Sequence, residues 1–185
     1  MPTRFRTVSL GYDPTGLFST PEDVLHTLEE NVEPKIRQLR PELSKLRDGG
    51  TLSDLPSIRL ALSPMVMWTK NWDANDLLRA AQFVDSFAIR LDCEFAGGIA
   101  SVSTHVDGSG ISNFLSALPA MLRDTRRLCG FVQVGTTDHG VNIDLLHLAA
   151  QALKEIALPQ DTKSREAAAR FAVVCNSVSN TPLCR

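Results

Sequence analysis

The stretch Leu128-Cys129-Gly130-Phe131-Val132-Gln133-Val134, followed by Gly135-Thr136-Thr137-Asp138-His139-Gly140, reads as a strand and its exit loop. Seven mostly apolar residues without alternation suit a strand buried on both faces. After the loop, Leu145, Leu146, Ala149, Ala152 and Leu153 recur at helical spacing, so the whole is one βα unit.

Working outward, the same unit repeats. Towards the N-terminus, Phe95 to Val102 is a strand containing Gly97-Gly98, paired glycines that mark a bulge or a close approach of backbone or ligand. A polar loop from Ser103 to Gly110 leads to a helix marked by Ile111, Phe114, Leu115, Leu118 and Leu122 around Pro119. Ile58 to Leu62 is another strand, closed by Ser63-Pro64, and a helix from about Asn75 buries Leu77, Leu78, Ala81, Val84 and Ala88. The first strand is read at Arg4 to Leu10, ending at Gly11-Tyr12-Asp13-Pro14. Thr20, Pro21 and Asp23 then form a helix start. The apolar stripe from Val24 to Leu46 crosses Pro34 and Pro41, which predicts a kinked helix or two consecutive ones. Towards the C-terminus, a short Ala-rich helix at Ser164 to Arg170 precedes a fifth strand, Phe171 to Cys175, and a polar tail over 177–185.

The order βαβαβαβαβ implies five mainly parallel strands joined by right-handed crossovers, as a half-barrel or an open sheet within a single α/β domain over 1–185. A chain of 185 residues, 43% apolar and 22% charged, buries a sizeable core. The net charge of -2, with no Lys/Arg stripe interleaved with aromatics, argues against a nucleic-acid partner. No apolar run reaches membrane-spanning length and the basic N-terminus has no signal-peptide core, so a cytoplasmic protein is expected. Cys93, Cys129, Cys175 and Cys184 are scattered without a C-x-x-C pair, which fits small buried hydrophobes in a reducing compartment and no metal site.

In parallel α/β folds, ligands bind beyond the carboxyl ends of the strands. Those ends are Gly11-Tyr12-Asp13, Ser63 to Lys70, Ser101 to His105, Gly135 to His139 and Asn176 to Asn180. They are more polar and richer in glycine than the opposite edge, which carries Arg59, Leu91 and Leu128. His105 and His139 each follow a strand and suit proton transfer near neutral pH, with Asp138 to orient a neighbour. The alternative for both is a solvent-facing loop histidine. Lys70, between Trp68 and Trp72, either meets an anionic or planar ligand or belongs to a connector packed on the sheet or on another chain. Ser63, Gly97, Gly98, Gly135, Thr136, Thr137, Asn142 and Asn176 are candidate ligand contacts. Asp107-Gly108-Ser109-Gly110 before a helix suits an anion or simply an ordinary cap. Cys175 reads as a buried thiol sooner than a nucleophile. His26 and His147 read as helix-surface residues.

At Phe95-Ala-Gly-Gly-Ile-Ala-Ser101, Gln133-Val-Gly-Thr-Thr-Asp-His-Gly-Val-Asn142 and Phe171-Ala-Val-Val-Cys-Asn-Ser-Val-Ser-Asn-Thr-Pro182, the chain resembles the uncharacterised DUF711 family. That family is also called UPF0210 or PFL-like. Ser63-Pro64 and the Leu118-Pro119 helix fall in register too, so the likeness covers most of the chain, as several short blocks in the right order. The resemblance implies the ten-stranded α/β barrel of the pyruvate formate-lyase and ribonucleotide reductase group, of which five strands are one half. It implies that family members extend well past residue 185, and that no glycyl radical is carried in this stretch. Family-like positions are Gly97, Gly98, Val134, Gly135, Thr137, Gly140, Asn142, Asn176 and Pro182; Asp138 and His139 depart from the pattern. The family has no settled activity, so the likeness transfers a fold and a site location.

Two readings of function follow. In one, the chain is an enzyme or enzyme subunit that holds a small anionic or carbonyl substrate at the strand ends, with no cofactor required. In the other, it is a non-catalytic assembly subunit. A half-barrel leaves strand edges and an apolar face open, so pairing with itself or with a complementary chain is expected in either case.

Overall fold

In the computed structural model, residues 2–69, 72–102 and 108–176 are described. The elements in chain order are β1 (Thr7–Tyr12), α1 (Pro21–Asn31), α2 (Glu33–Asp48), β2 (Ser57–Leu62), α3 (Met65–Trp68), α4 (Ala74–Arg90), β3 (Phe95–Val102), α5 (Gly108–Arg123), β4 (Leu128–Thr136), β5 (Gly140–Val141), α6 (Ile143–Ala157), α7 (Thr162–Ala169) and β6 (Phe171–Cys175). The strands form one open, mostly parallel sheet in the order β1-β2-β3-β4, with β6 pairing the far side of β4. The α/β class and the parallel order read from the sequence are both present.

Several details differ from the expected ones. The first strand lies three residues later than Arg4, because its ladder pairs Thr7 to Tyr12 with Ser57 to Leu62. Among the described residues the sheet has six strands and not five: β4 continues to Thr136 and folds back as a hairpin, pairing Thr136 with Gly140 and Gly135 with Val141. The proline-interrupted stripe resolves as two helices, with Pro34 in the first turn of α2, where its missing N–H costs nothing, and Pro41 inside it. The Met65–Asp73 connector contains a single helical turn, α3.

Sequential strand order with right-handed crossovers puts the connecting helices on one side of the sheet. They pack as one layer, α1 on α4, α4 on α5, α5 on α6 and α6 on α7. Ile58, Leu60 and Leu62 of β2 are buried in that interface with Leu77, Val84 and Phe87 of α4. Truncating Phe87, which is fully buried, to Ala would cost about 3–5 kcal/mol.

The N-terminal edge of the sheet is fastened by two polar clamps. The buried Asp85 carboxylate on α4 accepts N–H bonds from Arg126 (3.0 Å) and Arg127 (2.7 Å) ahead of β4. Arg170 donates to Leu122 O and Leu128 O, both at 2.6 Å, and to Thr125 O at 2.9 Å. Burial draws its guanidinium below the ordinary arginine value.

Candidate functional site

Beyond β1 and β2 the ladder runs one residue further, since Ser63 N–H donates to Tyr12 O at 3.2 Å. Alternation then places Ser63 on the sheet face of Arg59 and Ala61, opposite the helix-facing Leu60 and Leu62. Ser63 is 1% exposed, and its Oγ has no hydrogen-bond partner of ordinary geometry among the described residues. A buried hydroxyl in that condition is a rare and costly feature.

Asp13 stands beside it at the end of β1. Its Oδ1 accepts from the Thr15 hydroxyl (2.6 Å) and the Thr15 N–H (3.0 Å), an Asx turn over Asp13-Pro14-Thr15. The Thr15 hydroxyl holds the Asp13 carboxyl below its usual range against the opposing effect of burial, and hydrogen bonding from the Ser63 hydroxyl and the Thr15 N–H lowers it further. Asp13 is therefore a fixed anion at neutral pH. Desolvation, and then through-space repulsion from Asp13, raise the Tyr12 phenol.

The floor next to this pair is small. Gly11, Ala61 and Gly97 are in register across three strands, one rung below Asp13 and Ser63. A Cβ built on Gly11 would meet nothing within 4 Å, and one on Gly97 only Leu60 O at 3.9 Å. Gly98 has a different purpose: at φ +128° it forms the bulge in β3, and a Cβ there would lie 2.6 Å from Leu62 Cβ. One rung below the small row stand Ser9, Arg59 and Phe95. The Arg59 guanidinium lies 5.2 Å from the Phe95 ring centre and is paired with Glu94 at 2.8 Å. The Ser57 hydroxyl, then Arg59, hold Glu94 below its usual range.

The wall behind Ser63 is α3. Trp68 Nε1 donates to Ser63 O at 3.0 Å, while Phe18 and Trp72 meet the Trp68 ring edge-on at 5.0 and 6.1 Å. Both tryptophans are buried, so they pack the connector onto the core. A small apolar cavity lined by Leu62, Met65, Trp68, Val84, Gly97, Gly98, Ile99 and Leu128 lies on the helix side of the same corner; with such a lining it stays dry.

The remaining candidates gather elsewhere, at the ends of β4 and β6. Asn176, in the left-handed region at φ +57°, donates its N–H to Gly135 O at 2.9 Å. Its Oδ1 accepts from Thr137 N (2.7 Å) and Thr137 Oγ1 (2.6 Å). Gly135 is a glycine because a Cβ would lie 2.8 Å from Gly140 O in the hairpin. Thr136 Oγ1 accepts from His139 N–H, and Asn142 Oδ1 caps α6 through Leu145 N–H. These bonds brace the hairpin and the junction. Asp138 and His139 are exposed at the hairpin tip. Lys70 and His105 fall outside the described residues, as do Asp107 and Cys184.

Of the sequence candidates, then, Ser63, Gly97 and Gly98 come together, and Gly135, Thr136, Thr137, Asn142 and Asn176 form a second, internally bonded cluster. Asp13 was visible as a strand end, but its role was not; the Asx-turn sequence after a strand was the available signal. Among the described residues, no group of three His, Cys, Asp or Glu is placed to hold a metal ion. No helix among the described residues is long and apolar enough to cross a membrane. Cys93 and Cys129 have thiols raised chiefly by burial, whereas Cys175 is exposed.

Residues 2–184 match the model of a family described as "Uncharacterised ACR (DUF711)". A UPF0210 protein of Caldicellulosiruptor saccharolyticus is 31% identical over 181 residues, which is 96% of this chain and 39% of that protein. A UPF0210 protein of Pyrobaculum islandicum is 31% identical over 161 residues, 86% of this chain and 34% of that protein. One from Syntrophobacter fumaroxidans is 28% identical over 180 residues. The chain spans about two fifths of the length of the curated relatives it matches, 39% for the first of them.

Proposed function

The chain belongs to the DUF711 (UPF0210) family, and from that premise we propose that it is the substrate-binding part of an enzyme acting on a small carbonyl compound seated at the ends of β1 to β3. The observation that carries this reading is the buried Ser63 hydroxyl, which has no hydrogen-bond partner of ordinary geometry among the described residues and is left with the adjacent Asp13 carboxylate. A ligand carbonyl accepting from Ser63 Oγ–H would give that hydroxyl a bond of ordinary geometry. The Gly11-Ala61-Gly97 row gives the ligand room to approach the backbone. Of the two substrate characters expected from the sequence, carbonyl fits better than anionic, because the Asp13 charge stands beside Ser63.

The two tryptophans of the chain, Trp68 and Trp72, both sit at this corner, so intrinsic fluorescence reports on it alone. Acetamide, a bare carbonyl probe, is expected to shift the emission saturably in the wild type and far less in Ser63→Ala. Equal titrations of the two proteins would overturn the reading.

The alternative, an assembly subunit, is favoured by β6. Among the described residues β6 lies at the edge of the sheet and leaves Ala172, Val173 and Cys175 exposed, an apolar edge that proteins normally cover. Association through that edge is compatible with the proposed site, and mass in solution by light scattering across a dilution series decides it: a monomer at every concentration removes the alternative.

A further inference from the structure

We infer that the edge of β6 and the free flank of α6 together form the interface of a two-fold dimer, whose other half is a second copy of this chain. This rests on the assembly reading of β6 above and adds the surface, the symmetry and the register.

α6 carries two apolar rows. Leu145, Ala149, Ala152 and Ile156 are buried in the fold. Ile143, Leu146, Ala150 and Leu153 recur at the same three- and four-residue spacing, about 110° further round the helix. Ile143 is 66% exposed and Leu146 36%, although α5 and α7 both pack on α6. The second row therefore lies on a flank that neither neighbour covers, a surface that proteins reserve for contact with another element.

β6 lies at the same end of the layer. Gly130 N–H donates to Arg170 O and Asn176 N–H to Gly135 O, both at 2.9 Å, so the even-numbered residues turn their backbone groups to β4. Alternation then turns the N–H and C=O of Phe171, Val173 and Cys175 to the free edge.

A second copy meets both features at once. Pairing β6 with itself about a two-fold axis at Val173 is antiparallel, with Phe171 of one copy opposite Cys175 of the other. α6 touches both β4 and β6, so it runs above the gap between them. With strands about 4.8 Å apart, α6 is then ~4.8 Å from the axis, and the two copies of α6 run antiparallel ~9.6 Å apart. Packed helices are spaced by roughly 8–10 Å. Ala150, small and in the middle of the exposed row, leaves room for that approach. A different chain would have to bring a strand and a helix at this same spacing, which a second copy has by symmetry.

The test is sedimentation equilibrium of the full chain over a dilution series, with circular dichroism to check folding. Wild type is expected to dimerise. Leu146→Glu, at an exposed position, and Val173→Pro, whose missing N–H spares the β4 ladder, should each weaken the dimer about tenfold or more, since every change enters the interface twice. In a Cys175→Ser, Cys184→Ser background, Val173→Cys should form an intersubunit disulfide on mild oxidation, because Cα atoms of such a pair are about 5.5 Å apart. Adding Leu146→Glu should suppress that cross-link. A dimer that ignores both single substitutions, or that does not cross-link at Val173→Cys, overturns this interface and leaves self-association standing. A monomer at every concentration overturns both, and one that joins only a different chain in extracts of its host gives the edge to that chain.

Discussion

Replacing Ser63 with alanine should make the protein more stable, which is unusual for a buried residue. The hydroxyl is buried and has no hydrogen-bond partner of ordinary geometry among the described residues, only the adjacent Asp13 carboxylate. Mutational data put the cost of a buried, uncompensated hydroxyl at about 1–3 kcal/mol. Against its removal stands the small void left by one oxygen atom, a few tenths of a kcal/mol at ~24 cal/mol per Å³. Losing the weak help that Ser63 gives Asp13 offsets a little more, since Thr15 supplies the larger share. The net expectation is a gain of about 1–2 kcal/mol, or a rise in Tm of roughly 2–6 °C for a chain of this size. Urea titrations followed by tryptophan emission, with scanning calorimetry beside them, measure it directly. A loss of more than about 1 kcal/mol would refute the reasoning, because it would mean the hydroxyl is a satisfied structural group.

Gly98→Ala should destabilise by about 2–5 kcal/mol, combining strain at φ +128° with the clash at Leu62, whereas Gly97→Ala should stay within about 1 kcal/mol; denaturant midpoints of the two variants make the comparison. Alkylation with iodoacetamide at neutral pH, followed by peptide mass mapping, should modify Cys175 well before Cys93 and Cys129, whose thiols burial raises. Asp13, Asp23, Glu94 and Asp161 all have folded-state values below their ordinary ones. Each therefore contributes stability that is fully present above the unfolded carboxylate value of about 4 and is lost as pH falls through the lower folded value. Stability should be flat with respect to these groups from pH 5 to 7 and decline below about 4, less steeply in Asp23→Asn, where the carboxylate accepts from Ser19 and Thr20 N–H.

The fold was legible because its signal is repetitive: continuous apolar runs such as Leu128 to Val134 alternate with helical stripes, and one strand order satisfies all of them. What the sequence hid depended on partners far along the chain. The first strand looked as if it should end at Leu10, since Gly11 resembles a turn, yet Gly11 is carried in the ladder opposite Ala61. The Gly135–Gly140 loop looked like a ligand cradle; the backbone approach that demands Gly135 is instead to its own hairpin. Thr137 and Asn176 are 39 residues apart, and their side-chain bond was invisible to local pattern. Ser63 was legible as a strand-end residue, but that its hydroxyl is buried beside Asp13 is a property of packing. Asp13 does not stand out locally, since a carboxylate in a turn ordinarily caps that turn, and only the register of β1 with β2 gives it Ser63 as a second neighbour.

The most direct test of the central claim is a chemical-shift map of the labelled protein with hydroxyacetone. The account predicts that the Trp68 indole N–H and the amides of Asp13, Ser63 and Gly97 move together on titration, and that Ser63→Ala removes the response. Shifts confined to the hairpin around His139, or unchanged by Ser63→Ala, would contradict it.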